Sequence, residues 1–220
     1  MGKTERRSLI VGRVDTCGPW LVCVIAAANK IASAFWRRLD SSGADAADLW
    51  RRSDGWAIEG AAVFVQDGRI ARLHYEVRCD ERWNTRLGIV RGSLGERSVE
   101  LEATVDAQRR WRVNGAPVDT VEGCIDLDLN FTPATNLIQF RRLGLPIGAR
   151  VAAPAAWLAM PQLELRLLPQ TLKRTSADCY DYAAPTEGYA GVLEVDESGF
   201  VREYPELWTA EAVHAFREVR

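Results

Sequence analysis

The chain reads as an all-β protein, on three grounds. From Trp36 onward it breaks into short runs with the two-residue apolar/polar period of strands. Asp67-Gly68, Asn114-Gly115 and Ser198-Gly199 punctuate those runs with residues that tolerate the positive φ of tight hairpin turns. Helical periodicity is confined to one internal segment and the two ends of the chain.

Taken in order, Trp56 to Val65 is strand-like, and Asp67-Gly68 turns it back into Ala71 to Val77. There Leu73, Tyr75 and Val77 alternate with His74, Glu76 and Arg78, giving one apolar and one polar face. Leu87 to Arg91 and Ser98 to Val105 flank a turn around Gly95, and Trp111 to Val113 runs into Asn114-Gly115. Ile125, Leu127, Leu129 and Phe131 alternate with Asp126, Asp128 and Asn130. Thr132-Pro133 follows, an N-cap residue and then a proline at the first helical position, which predicts a short helix from Ala134 to about Phe140. Beyond it Leu163, Leu165 and Leu167 alternate with Glu164 and Arg166, and Val192 to Val195 pairs with Phe200 to Tyr204 across Ser198-Gly199. Two more helices are expected at the ends, Leu21 to Ala34 and Ala210 to Val219, the latter with a thin stripe of Ala212, Val213 and Phe216. No Pro/Gly/Ser-rich linker divides the chain, so one domain is expected.

Composition narrows the function. The 28 basic and 30 acidic residues are interspersed for a net charge of −2, without the basic stripe a phosphate backbone needs, so nucleic acid is not an expected partner. Five widely spread cysteines with no Cys-x-x-Cys read as free thiols rather than disulfides or a zinc site. Two histidines, His74 and His214, leave little material for a metal cluster or a catalytic triad. There is no Gly-x-Ser-x-Gly elbow and no glycine-rich phosphate loop, so neither a cofactor nor a metal is expected. Lys3, Arg6 and Arg7 precede an apolar run from Trp20 to Ala28 that is too short to span a bilayer. A cytoplasmic protein is expected, with export through an atypical leader as the alternative.

A set of uncommon strings runs through the chain in order: FWRRLD (Phe35 to Asp40), LHYEVRCDERWNTR (Leu73 to Arg86), WRVNGAPV (Trp111 to Val118), GCIDLDLNFTPATN (Gly123 to Asn136), RRL (Arg141 to Leu143), AAWLAMPQLEL (Ala155 to Leu165) and DESGFVREYPELW (Asp196 to Trp208). Together they resemble a bacterial glycolipid-binding family. The resemblance implies a spiral β-roll, a long many-stranded antiparallel sheet wrapped around one short helix. It divides the chain into an N-terminal extension (1–34), the β-roll domain (35–208) and a helical tail (209–220). It also implies a lipid or glycolipid ligand and a homodimer.

The residues themselves suggest where such a ligand would sit. Ala134, Leu137, Ile138 and Phe140 cover more than half of a helical wheel, so the helix should be enclosed by protein. Arg141 would continue that arc, so either the helix ends before it or Arg141 meets a carboxylate, with Asp126 and Asp128 as the natural partners. Trp83 with Asp80 and Arg86 offers an aromatic face beside charges, a combination that suits a sugar ring. The expected ligand site is therefore Asp80, Trp83, Arg86, Asp126, Asp128, Asn136 and Arg141, with the lipid chain along the apolar inner surface of the sheet. A non-catalytic binding protein is the expected class. Its rivals are an enzyme acting on a carbohydrate or lipid-linked substrate through the Asp126/Asp128 pair, and a structural homodimer joined at sheet edges.

Overall fold

The hairpins foreseen at Asp67-Gly68 and Asn114-Gly115 form tight turns with positive φ at both central residues, the geometry that matches the twist of the flanking strands. The computed structural model describes residues 28–216. The first half of the chain folds as β1 (Asn29–Arg38), β2 (Gly43–Arg52), β3 (Gly55–Gln66), β4 (Arg69–Cys79), β5 (Thr85–Leu94), β6 (Arg97–Val105), β7 (Trp111–Val113) and β8 (Ala116–Pro117). Next come β9 (Asp126–Leu129), helix α1 (Asn136–Leu143), β10 (Arg150–Ala152), β11 (Ala155–Ala159) and β12 (Glu164–Leu168). The chain returns through β13 (Thr171–Arg174), β14 (Cys179–Ala184), β15 (Tyr189–Val195), β16 (Val201–Tyr204) and β17 (Trp208–Ala215).

Fourteen of these strands make one antiparallel sheet in the order β10-β13-β14-β15-β16-β17-β1-β2-β3-β4-β5-β6-β7-β8, and the sheet does not close into a barrel. It consists of two meanders, β1 to β8 and β13 to β17, fused where β1 pairs with β17, with β10 added at the free edge of β13. The segment between the meanders forms a second layer: a three-stranded sheet, β12-β11-β9, with β9 and β11 parallel, and α1. This layer fills the concave side of the long sheet. Phe131 packs on Phe64 and Tyr75, Phe140 stacks on Tyr180 with ring centroids 4.4 Å apart, and Leu127 fits against Gly88 of β5. A Cβ at Gly88 would come within 2.2 Å of the Leu127 side chain, so the glycine is what admits β9 to the sheet. The expected all-β roll around one helix is thus present, with an inner three-stranded sheet added to it.

Both ends differ from expectation. The foreseen leader helix lies outside the described residues up to residue 27, and its remainder from Asn29 belongs to β1. The foreseen tail helix is strand β17 as far as Ala215, while residues 217–220 lie outside the described residues. Ala and Glu favour a helix locally, but the open edge of β1 captures the segment in register, Ala34 opposite Val213 and Ala32 opposite Ala215. Tertiary pairing overrides propensity here because this pairing is what joins the two meanders.

Strand β9 is an edge strand of the inner sheet, yet it is buried, so its free N–H groups need acceptors. Two threonine hydroxyls provide them: Leu127 N donates to Thr85 Oγ1 at 3.1 Å and Leu129 N to Thr135 Oγ1 at 3.2 Å. Replacing Thr85 by the isosteric valine keeps the packing and leaves a buried N–H unsatisfied. Thr85→Val should lower the unfolding free energy by about 1–3 kcal/mol in chemical denaturation. A loss below about 0.5 kcal/mol would show that this hydroxyl does not tie the layers together.

Candidate functional site

The residues after β9 hold the inner layer to the sheet by a buried polar knot. Thr132 Oγ1 donates to Asp45 Oδ2 at 2.5 Å, and Tyr75 Oη donates to the same oxygen at 2.9 Å. Ala134 N donates to Thr132 Oγ1 at 3.0 Å. Burial pushes the Asp45 carboxyl up to about 7, against the hydrogen bonds from Thr132 and Tyr75 that favour its charged form. Tyr75 reaches this position across Gly60, where a Cβ would come within 2.4 Å of the ring and hydroxyl. Thr132 therefore does not cap the helix as expected. The helix begins at Asn136, and Thr135 stands at its N-cap without a side-chain cap because its hydroxyl already serves Leu129 N.

That delay shifts the arginine that meets a carboxylate. Arg142, not Arg141, pairs with Asp126, through Nε to Oδ1 at 2.7 Å and Nη2 to Oδ2 at 2.6 Å. Burial raises the Asp126 carboxyl and the Arg142 guanidinium pulls it back, leaving it above the ordinary value. Arg141 turns the other way and donates to the carbonyls of Ser198 and Glu197, clamping the turn between β15 and β16. The expected pairing of Arg141 with Asp126 or Asp128 is thus wrong by one residue, because α1 runs on to Leu143 and ends at Gly144 in the left-handed conformation.

Asp128 is what the pairing leaves over. It lies two residues from Asp126 on the same side of β9, and it makes no hydrogen bond or ion pair with any described residue. Its side chain opens into a cleft of about 120 Å³ between the inner layer and β14 to β17. Trp157, its register partner on β11, flanks it. Tyr182, Tyr189, Tyr204 and Trp208 form the facing wall, with Asn130, Thr132 and Asn136 at the inner end and Glu187 at the margin. The three tyrosine rings pack on one another at centroid distances of 5.2–5.9 Å, which fixes the wall. Burial, and then the neighbouring Asp126 charge, push the Asp128 carboxyl up to about 7. The cleft thus joins a carboxyl held near neutrality to an aromatic wall and the side-chain amides of Asn130 and Asn136.

The remaining expected site residues lie apart. Asp80 sits in the turn between β4 and β5, accepting from the backbone of Arg82 and Asn84, the Asn84 amide and Arg86. Burial works against its charge, but these donors hold the carboxyl below the ordinary value. Trp83, with φ of 65°, is buried and stacks on Trp56 at 4.4 Å, while Arg51 covers the outer face of Trp56. This cluster shapes a turn, and none of its members lines the Asp128 cleft. Nor does the inner surface of the sheet leave a trough for a lipid chain: Phe64, Leu73, Phe131, Leu137 and Ile138 fill it. Of the expected site, the fold brings together Asp128 and Asn136, with Asp126 beside them. Trp157 and the three tyrosines were missed. Their signal was the inward phase of Tyr182 and Tyr204 on alternating strands, which places polar hydroxyls in a core. A larger groove of about 460 Å³ on the outer face, around Phe35, Ala46, Ala61 and His74, has no unpaired carboxylate, since its Asp48 is held by Lys30 and Ser33 and its Glu59 by Arg52.

An open antiparallel sheet coiled about an inner layer and one helix defines a β-roll architecture. The crystal structure of a DUF1089 family protein from Pseudomonas aeruginosa shares it, with a TM-score of 0.67 at 25% identity over 90% of this chain and 99% of that one. Residues 33–210 match the family described as "Putative glycolipid-binding", and the chain belongs to that family. No curated protein matches the chain.

Two outcomes follow from the carboxylates. Arg142→Met strands Asp126 in the interior and should cost roughly 3–5 kcal/mol, part of which an added Asp126→Asn should restore. Strictly additive losses would show that the two groups do not act as a pair. Asp128 behaves in the opposite sense. Its folded pKa of about 7 lies above the unfolded value of about 3.9, so the folded state keeps a proton the unfolded state releases, and stability falls as pH rises between them. Asp128→Asn should therefore raise the melting temperature at pH 8, by on the order of 2 kcal/mol of stability because the cleft admits water, and change little near pH 4. A drop in melting temperature at pH 8 would mean that the carboxylate has a structural partner.

Proposed function

We propose that the protein is a non-catalytic binder of the sugar head group of a glycolipid, and that the Asp128 cleft is where the head group sits. The observation that carries this reading is the unpaired Asp128 carboxyl facing Trp157 and the tyrosine wall. Sugar rings stack on aromatic faces and donate hydroxyl protons to carboxylates and amide oxygens, and the cleft supplies both kinds of partner. Its volume of about 120 Å³ suits part of one ring and is far below the ~300–1,000 Å³ of pockets that engulf larger ligands. The head group enters the cleft, and the lipid chain stays outside it. Asp126 cannot serve as the second carboxylate of an acid/base pair because Arg142 holds both of its oxygens. Glu187 at the margin is the remaining candidate for such a pair, and it separates the enzyme reading from the binding one.

The test is calorimetry with a panel of methyl glycosides and their octyl counterparts. A bound sugar should show similar affinity in both forms, and Trp157→Ala should weaken it by ~1–3 kcal/mol, the loss typical of an aromatic anchor. Trp83→Ala, in contrast, should lower stability and leave the residual affinity of folded protein unchanged. Affinity that follows chain length alone, or no binding by any glycoside, would overturn the reading. Release of nitrophenol from nitrophenyl glycosides, lost in Asp128→Asn, would replace binding by catalysis.

A further inference from the structure

The cleft has a sign as well as a shape. Among the residues lining it there is no lysine, arginine or histidine, while Asp128 lies at its floor and Glu187 at its margin. The guanidinium of Arg142 is committed to Asp126 with two hydrogen bonds, and Asp128 has no ion-pair partner among the described residues. The other titratable groups near Asp128 are Asp126 on its own strand, whose charge Arg142 balances, and Tyr182 on β14, Tyr189 on β15 and Tyr204 on β16, all with hydroxyls raised above their ordinary values and therefore neutral near pH 7. A phosphate, sulfate or carboxylate entering here would meet a half-buried carboxylate and find no cation among the lining residues. An ammonium would meet that carboxylate together with the electron-rich faces of Trp157 and the tyrosines, the combination that holds ammonium ligands elsewhere in proteins.

We infer that the Asp128 cleft selects a head group bearing an ammonium, such as a free amino sugar, over neutral and anionic head groups. This rests on the head-group reading above and adds the charge of the ligand to it. Pairing with Asp128 supplies the missing counter-ion, and the aromatic wall replaces the water lost by the cation. The size of the cleft fits this partner: an apolar cavity of ~150 Å³ takes one benzene ring, so about 120 Å³ takes an ammonium and the ring edge that carries it.

Four methyl glycosides of one sugar frame test the inference by calorimetry at pH 7.5: the parent, the 2-amino form, its N-acetyl form and the uronate. The amine should bind at least about tenfold more tightly than the N-acetyl form, the difference of about 1.4 kcal/mol expected for one exchange of charge at a half-open site. The uronate should not bind. Tetramethylammonium, whose charge does not titrate, should bind weakly and more tightly as pH rises through 7, because Asp128 then ionises. Asp128→Asn should abolish both the amine preference and this pH dependence, while Glu122→Gln, on the surface away from the cleft, should change neither. Equal affinity for the amine, N-acetyl and parent glycosides would overturn the inference and leave the head-group reading standing. So would tetramethylammonium binding that Asp128→Asn leaves intact. Failure of every glycoside, charged or neutral, would remove both.

Discussion

Everything in this fold depends on how a strand and a helix can sit inside a curved sheet without stranding their backbone groups. An inner layer cannot join the hydrogen-bond ladder of the sheet that surrounds it, and a buried N–H left without an acceptor costs about as much as a lost hydrogen bond. Threonine hydroxyls solve the problem. Thr85 and Thr135 accept the N–H groups of β9, and Thr132 links the entry to α1 with Asp45 on β2 and Tyr75 on β4. The CDERWNTR and FTPATN strings are thereby explained in large part by structure: each places a hydroxyl where the inner layer would otherwise be unsatisfied.

The same strand divides two carboxylates between two tasks. Leu127 packs against Gly88 of β5 in the first meander, so Asp126 and Asp128 leave the opposite face of β9, and Asp128 meets the second meander. Asp126 is tied to α1 by a two-pronged arginine pair and fixes the helix to the strand. Asp128, one strand period further on, lies past the reach of that arginine and opens into the cleft. A single local pattern, Asp-x-Asp, thus places one carboxylate in an ion pair with α1 and leaves the other on the wall of a cleft.

Much of the fold was legible in the chain because hairpins and alternation are local signals. The turns at Asp67-Gly68 and Asn114-Gly115, the polar face of β9 and the existence of α1 all follow from neighbours in sequence. The exact start of α1 was not legible, because it depends on the Thr132 hydroxyl being engaged by Asp45, 87 residues away. The strand at Trp208–Ala215 was hidden for a similar reason: its composition favours helix, and most of its length is held as a strand by the distant β1. Asp128 and Asn136 could be picked out because they lie in one motif, while the aromatic wall could not, since Trp157, Tyr182, Tyr189 and Tyr204 converge from four strands.

Asp45 and Asp128 show why a raised pKa by itself does not identify a site. Burial lifts both carboxyls to about 7. Asp45 has one oxygen held by Thr132 and Tyr75 within the packed core, so its environment is explained by the tie it makes. Asp128 has no such tie and faces the open volume of the cleft. Thr132 touches both, with its hydroxyl on Asp45 and its side chain on the cleft wall. A ligand that binds the folded form alone stabilises it in proportion to the logarithm of its concentration. Here that gain would act at the residue that pins the inner layer to the sheet, so occupancy of the cleft and retention of the roll are expected to rise together.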